Sequence, residues 1–305
     1  MRSLILILFF VIYNIAFASN PYVISPEEAK EFIGKKGYIF INTDNPEKYK
    51  KEHIPTAINI SAFYLQDVAI QNNEKQKCNY LPLCPETVKK IFSQKGISNN
   101  SKIIINYSDL PHTATYVWFV LYAMGVPETN LKIIDGGLNL WKKKGYKTEK
   151  GEVVPKLSMF NPKPRYDVVA TLKEVLEYAK AYLNGTPPQD KILIDVRSFQ
   201  EFAGRQKIIE IKRSGHIPGA RYIYWKAFLG KKGHLFRDIT KIKKRIQKVK
   251  IDLNKEIILY CTIGNRSSFA FLAFKLAGAK KVKIYTGGWY EWGNREDLPI
   301  VEGRK

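Results

Sequence analysis

The sequence predicts two consecutive α/β domains, each with a mostly parallel sheet flanked by helices. An internal repeat, apolar strands alternating with helical patterns, and a proline-rich break between the halves carry this prediction. In chain order, Ser25-Pro26-Glu27-Glu28 and Thr171-Leu172-Lys173-Glu174 each set a hydroxyl three residues ahead of a glutamate, the capping-box pattern of a helix start. An apolar strand follows each, Tyr38 to Ile41 and Ile192 to Val196. Then come His53-Ile54-Pro55-Thr56-Ala57 and its partner His216-Ile217-Pro218-Gly219-Ala220. A second apolar strand, Ile103 to Tyr107, corresponds to Ile257 to Tyr260. Each half closes on a double glycine and a tryptophan: Gly136-Gly137 with Trp141, and Gly287-Gly288 with Trp292. The stretch Gly151 to Tyr166 holds Pro155, Pro162 and Pro164 with little apolar periodicity, and reads as a linker. The expected domains are therefore 19–150 and 167–305.

The chain has 305 residues, 45% hydrophobic and 26% charged, as expected of folded domains. Its first residues form a separate unit. Arg2 gives a positive start, Leu4 to Ile15 is apolar apart from Tyr13 and Asn14, and Ala16-Phe17-Ala18 fits a small-residue cleavage site. This predicts a signal peptide over 1–18, cleavage after Ala18, and a periplasmic or secreted protein without stable membrane insertion. The apolar run is too short to span a bilayer, which takes about 20 residues. A net charge of +22 suggests anionic partners, but export argues against nucleic acid. In the densest basic stretch, 240–250, Ile242, Ile246 and Val249 keep helical spacing, so the cations there read as a solvated helix face.

The chain has three cysteines, an odd count that leaves one thiol free. Cys78 and Cys84 are expected either to pair with each other or to serve as packing residues. Cys261 is the candidate nucleophile. It ends the apolar run Ile257-Ile258-Leu259-Tyr260, Arg266 follows after four intervening residues, and an apolar helical pattern begins at once (Phe269, Leu272, Ala273, Leu276). A loop between a strand end and a helix start offers backbone N–H groups and the positive end of the helix dipole to an anion. With Arg266 alongside, the expectation is a lowered thiol pKa and a thiolate near neutrality, which is what a sulfur nucleophile requires. The reading requires that the sulfur be reachable from solvent. Neither the cysteines nor the four histidines show metal-ligand spacing, and no cofactor is expected.

With these residues in view, the chain resembles the tandem-domain rhodaneses, a sulfurtransferase family. Asp195-Val196-Arg197, the turn Ser214 to Ala220, the Cys261-to-Arg266 loop and Gly287 to Trp292 carry the resemblance, in order and over the whole mature length. It implies two similar α/β domains with the site at their interface. It also implies a cysteine that takes sulfane sulfur as a persulfide and passes it to cyanide, a thiol or a protein acceptor. The active-site loop would be Thr262, Ile263, Gly264, Asn265, Arg266 and Ser267 around Cys261. The spacing Cys-x4-Arg is one residue tighter than the phosphatase loop Cys-x5-Arg, which favours a single sulfur over a phosphate.

On this resemblance the first domain is the inactive half, with Ser108 at the position of Cys261 and Thr113 at that of Arg266. His112 lies in the same loop, which raises a Ser108–His112 pair as an alternative, but a surface loop histidine is the expectation. Asp195 and Arg197 are expected to form a structural ion pair, His216 to order its turn, and Trp289 and Trp292 to be core. The loop departs from thiosulfate-type loops, which carry cations directly after the cysteine, and from mercaptopyruvate-type loops, which have a serine where Ile263 stands. A substrate-binding arginine of vertebrate-type enzymes would fall near Glu201; Arg205 and Arg213 are candidates to replace it. The leading expectation is an exported sulfurtransferase using an anionic donor such as thiosulfate. The alternatives are a 3-mercaptopyruvate sulfurtransferase and a sulfur or polysulfide carrier that depends on a partner for turnover.

Overall fold

The computed structural model describes residues 20–74, 78 and 81–303. The expected signal peptide and its cleavage site lie outside them. The first domain comprises β1 (Val23–Ile24), α1 (Pro26–Lys30), β2 (Tyr38–Asn42), α2 (Pro46–Lys51), β3 (Ile58–Asn59) and α3 (Ala62–Glu74). It continues with α4 (Pro85–Gln94), β4 (Lys102–Asn106), α5 (Pro111–Ala123), β5 (Leu131–Ile134) and α6 (Gly137–Lys143). The second comprises α7 (Leu172–Leu183), β6 (Lys191–Asp195), α8 (Phe199–Phe202), β7 (Arg221–Tyr222) and α9 (Ile239–Lys248). After these come β8 (Glu256–Tyr260), α10 (Asn265–Ala277), β9 (Val282–Ile284) and α11 (Gly288–Asn294).

Every strand pairing is parallel, in the orders β1-β5-β4-β2-β3 and β7-β6-β8-β9. Val169, bridged in parallel to Ile284, supplies in the second domain what β1 supplies in the first. Unbroken runs such as Ile103-Ile104-Ile105 and Ile257-Ile258-Leu259 are buried on both faces, because helices cover both sides of a parallel sheet. The helix starts follow the sequence signals. Ser25 and Glu28 form a reciprocal capping box, whereas Thr171 accepts from the Glu174 N–H and Glu174 itself turns to Lys283.

One hydrophobic cluster runs through both domains, and each domain has a further cluster of its own. Helices α5 and α10 lie against each other, and Phe119 meets Phe271 edge to face at 5.2 Å between centroids. Thr115 Oγ1 and Ser268 Oγ are 2.9 Å apart across the same contact. This contact explains why α10 is buried nearly all round, beyond the single apolar face that its spacing announces. A second clamp joins Asp135, at the first domain's double glycine, to the second domain: it accepts from the Leu235 N–H at 2.7 Å and lies 2.5 Å from His234 Nδ1. Residues 152–165 have no regular structure, as a linker should, yet they are strapped to the first domain. Phe160 is buried against Phe92, and its N–H reaches Ser93 Oγ at 3.0 Å. Because the core is continuous, Phe271→Ala is expected to cost about 3–5 kcal/mol, with both domains still unfolding in one transition. Urea unfolding followed by tryptophan fluorescence checks both points.

Cys78 and Cys84 are disulfide-bonded, with Cα atoms 5.1 Å apart, which selects pairing over packing. Cys261 is the free thiol. Among the described residues no helix is long and apolar enough to cross a membrane.

Candidate active site at the domain interface

Cys261 follows directly on β8, and Asn265 opens α10, so the connection is only Cys261 to Gly264. Gly264 sits at φ +90°, the left-handed conformation that lets the chain turn from strand into helix within so few residues. Arg266 and Ser267 therefore belong to the first turn of α10 and not to a loop. Behind the turn, the N–H groups of Trp289 and Tyr290 donate to the carbonyls of Cys261 and Thr262 at 2.8 and 3.0 Å. Gly288 allows this approach: a Cβ there would lie 2.5 Å from the Thr262 oxygen and 2.6 Å from that of Cys261. Since trans peptides set N–H opposite C=O, the N–H groups of Thr262 and Ile263 face away from α11.

Cys261 is 1% exposed, so the structure does not meet the expectation of a solvent-reachable sulfur: a donor reaches this thiol only if the side chains around it move. Ser267 Oγ lies 3.6 Å from its sulfur and 2.9 Å from the Gly264 oxygen. The first domain closes over the turn. Tyr116, on α5, comes within 3.5 Å of the Cβ position of Gly264, and burial followed by the charge on Cys261 pushes its phenol well above the usual range.

Arg266 does not project freely. Its Nη1 and Nη2 donate to the two carboxylate oxygens of Glu201 at 2.7 and 2.8 Å, and Nη2 also reaches Thr262 Oγ1 at 2.6 Å. Glu201 in turn accepts from the Ser198 N–H, closing the capping box of α8. Burial opposes the Glu201 charge, but the Arg266 hydrogen bonds and charge prevail and bring its pKa to about 2. Burial likewise works against the Arg266 cation, and Glu201 and Cys261 more than offset it. The sequence reading missed this pair. Its visible half was the serine-to-glutamate spacing at Ser198 and Glu201, which announces a helix cap and gives no hint of a distant arginine.

The other expected residues separate clearly. Asp195 and Arg197 form a buried bidentate pair, with Arg197 Nη2 also donating to the Gly215 oxygen at 2.7 Å and its guanidinium over Trp289. His216 Nδ1 is 2.9 Å from the Phe202 oxygen, its ring stacked on Phe202, as a turn-ordering residue should be. Trp289 and Trp292 are core, each indole N–H bonded to a main-chain carbonyl. Arg213 turns its guanidinium to the carbonyls of Trp292, Gly293, Arg295 and Leu298, where it secures the end of α11. Arg205 is exposed, over the Phe199 ring. The structure thus brings Thr262, Gly264, Arg266 and Ser267 to Cys261, and occupies Arg213 elsewhere.

Strand register revises the comparison of the two halves. Asn42 pairs with Asn106 as Asp195 pairs with Tyr260, so Tyr107, and not Ser108, stands where the second domain has Cys261. Two further contacts agree. The Leu138 N–H donates to the Tyr107 oxygen as that of Trp289 does to Cys261, and Thr113 Oγ1 bonds the Leu110 oxygen as Ser267 Oγ bonds that of Gly264. Ser108 donates to Asp44 at 2.5 Å and makes no Ser–His pair. His112, now the counterpart of Arg266, is half-buried at the domain interface instead of on an open loop. It packs edge-on against Trp225 of the second domain at 5.0 Å, with Nδ1 buried and unpartnered. Burial first, then the nearby Arg266 and Lys226 charges, lower its pKa to about 4, so the ring is neutral at pH 7.

A depressed histidine pKa supports the fold above the ordinary value of 6.5, and that support is lost as pH falls through about 4. His112→Gln is accordingly expected to flatten the decline of stability between these limits. Urea titrations at a series of pH values would show it, and an unchanged slope would contradict it.

Comparison with known proteins agrees with this geometry. A family profile for the rhodanese-like domain matches twice, at residues 25–144 and 175–295. A Synechococcus elongatus protein, provisionally named a thiosulfate sulfurtransferase, is 28% identical over 92% of this chain and 85% of its own length. The sulfur carrier protein TtuD of Thermus thermophilus is 30% identical over 72% of this chain and 78% of its own. Among solved structures, the anaerobic ergothioneine biosynthesis enzyme of Chlorobium limicola has the same fold. It superposes with a TM-score of 0.79 at 21% identity, over 93% of this chain and 71% of that enzyme. With two matches that together cover most of the chain, it belongs to the rhodanese family and carries two rhodanese-like domains in tandem.

Proposed function

We propose that the protein is an exported sulfurtransferase that moves sulfane sulfur from an anionic donor such as thiosulfate to a nucleophilic acceptor through a persulfide on Cys261. The observation that carries this reading is the setting of Cys261. It is a lone free thiol at a strand end, against the first turn of a helix whose Arg266 is fixed in place by Glu201. The Cys261 sulfur attacks the outer sulfur of thiosulfate, the S–S bond of the donor breaks, and sulfite leaves with the bonding pair. The first turn of α10 favours the negative charge that passes through the site, while Arg266, engaged by Glu201, sets the shape of the turn more than its charge. A second nucleophile, such as cyanide or a thiol, then takes the outer sulfur and restores Cys261. Two half-reactions through one covalent intermediate give ping-pong kinetics.

The likeness to the Thermus sulfur carrier favours a second reading, in which the persulfide waits for a partner instead of turning over efficiently alone. One experiment addresses both. Intact-mass spectrometry after treatment with thiosulfate should show one added sulfur, mapped to Cys261 by digestion. Cyanide should then remove it rapidly from an enzyme and slowly from a carrier. Absence of the adduct with every sulfane donor tried would defeat both readings.

A further inference from the structure

The cationic face of α9 goes beyond the solvated surface that its spacing suggested. Ile242 and Ile246 turn into the core, while Lys241, Lys243, Lys244, Arg245 and Lys248 are exposed, and no carboxylate lies within the helix. Among the described residues, none of these five cations, nor Arg237, forms an ion pair, although pairs are common elsewhere on the protein. A groove of about 600 Å³ is lined by Arg237, Lys241, Lys244, Arg245, Gln247 and Lys248. At its head, the Arg237 Nε is buried without a hydrogen-bond partner.

The repeat provides an internal control. The first domain's helix before its central strand, α4, has the same buried apolar edge (Val88, Ile91, Phe92), but carries only Lys89 and Lys90, offset in part by Glu86. The cations are thus peculiar to the domain with the thiol. They also lead toward it. The Arg237 N–H bonds the Phe228 oxygen, at the end of the turn 225–228, and Trp225 in that turn contacts both His112 and Phe269 of α10.

We infer that this groove docks an acidic, thiol-bearing protein that accepts sulfur from Cys261. The inference rests on the sulfur-transfer reading and names the acceptor class. Nucleic acid fits less well, because no aromatic ring lines the groove to stack a base. A lipid surface fits less well, because the apolar residues of α9 face the core and leave none to insert. In the transfer, the acceptor thiolate attacks the outer sulfur of the Cys261 persulfide. A new S–S bond forms on the acceptor, the bond to Cys261 breaks, and Cys261 leaves as thiolate; the acceptor's thiol proton goes to solvent.

The test uses two synthetic acceptors, an octaglutamate and an octaserine peptide, each with one N-terminal cysteine, at physiological salt with thiosulfate as donor. For wild type, kcat/KM is expected to favour the acidic peptide about tenfold, the size of effect that several rim charges produce together. Lys241→Gln, Lys244→Gln, Arg245→Gln and Lys248→Gln combined should erase that preference and leave turnover with cyanide unchanged. A control with equal charge loss elsewhere, Lys35→Gln, Lys36→Gln, Lys89→Gln and Lys90→Gln, should keep it. The inference is overturned if wild type shows no preference, if the α9 variant retains it, or if the control loses it equally. Absence of cyanide turnover in wild type would instead strike the sulfur-transfer reading beneath it.

Discussion

Cys261→Ser is expected to lower sulfur transfer from thiosulfate to cyanide on the order of 10⁴-fold or more, the scale on which removal of a covalent nucleophile acts. A hydroxyl has no accessible route to a sulfur adduct, and no second thiol is free to substitute, since Cys78 and Cys84 are bonded to each other. The change is nearly isosteric at a buried position, so the melting temperature should move little. Loss of activity without loss of fold isolates the chemistry. Full activity in the variant would place the reaction elsewhere in the molecule.

The second large effect concerns Glu201→Ala. Its carboxylate is the partner that holds the Arg266 guanidinium beside the turn, and both groups are largely withdrawn from water. Removing one side of such a pair leaves a poorly compensated cation and is expected to cost about 3–5 kcal/mol. Because the Glu201 pKa falls from an ordinary 4.5 to about 2, the pair's contribution is complete above 4.5 and disappears as pH drops through about 2. Wild type and variant should therefore differ most at neutral pH and converge in strong acid, as equilibrium unfolding across that range would reveal. Glu201→Gln, which keeps one accepting oxygen but sets an NH2 donor against the other Arg266 nitrogen, should lose somewhat less. If Glu201→Ala were as stable as wild type at pH 7, the pair would not hold the turn together.

Much of this architecture is legible in the sequence because its signals are local. Apolar runs of isoleucine mark strands that need no alternation, since both faces of a parallel sheet are covered. The double glycines mark places where backbones meet, and Gly288 against the Cys261 carbonyl is such a place. What the sequence conceals is register and partnership. Matching the halves by residue type set Ser108 opposite Cys261, two small polar groups. The hydrogen-bonded ladders set Tyr107 there instead, a bulky ring that no similarity of side chains would suggest. Glu201 and Arg266 are 65 residues apart, and nothing in either neighbourhood names the other. Arg213 shows the converse difficulty. A cation in a long connection looks available for an anion, whereas the carbonyls at the end of α11 engage it fully.

The depth of Cys261 has a consequence for how the thiol survives between reactions. Where the bond between Cys78 and Cys84 persists, oxidants and stray disulfides will attack any sulfur they can touch. A thiol covered by Tyr116 and the first turn of α10 is shielded from such encounters, so it can stay reduced without a dedicated guardian. The same cover makes entry selective: a sulfur must arrive at the tip of a small donor or of an acceptor side chain, and only after neighbouring side chains give way.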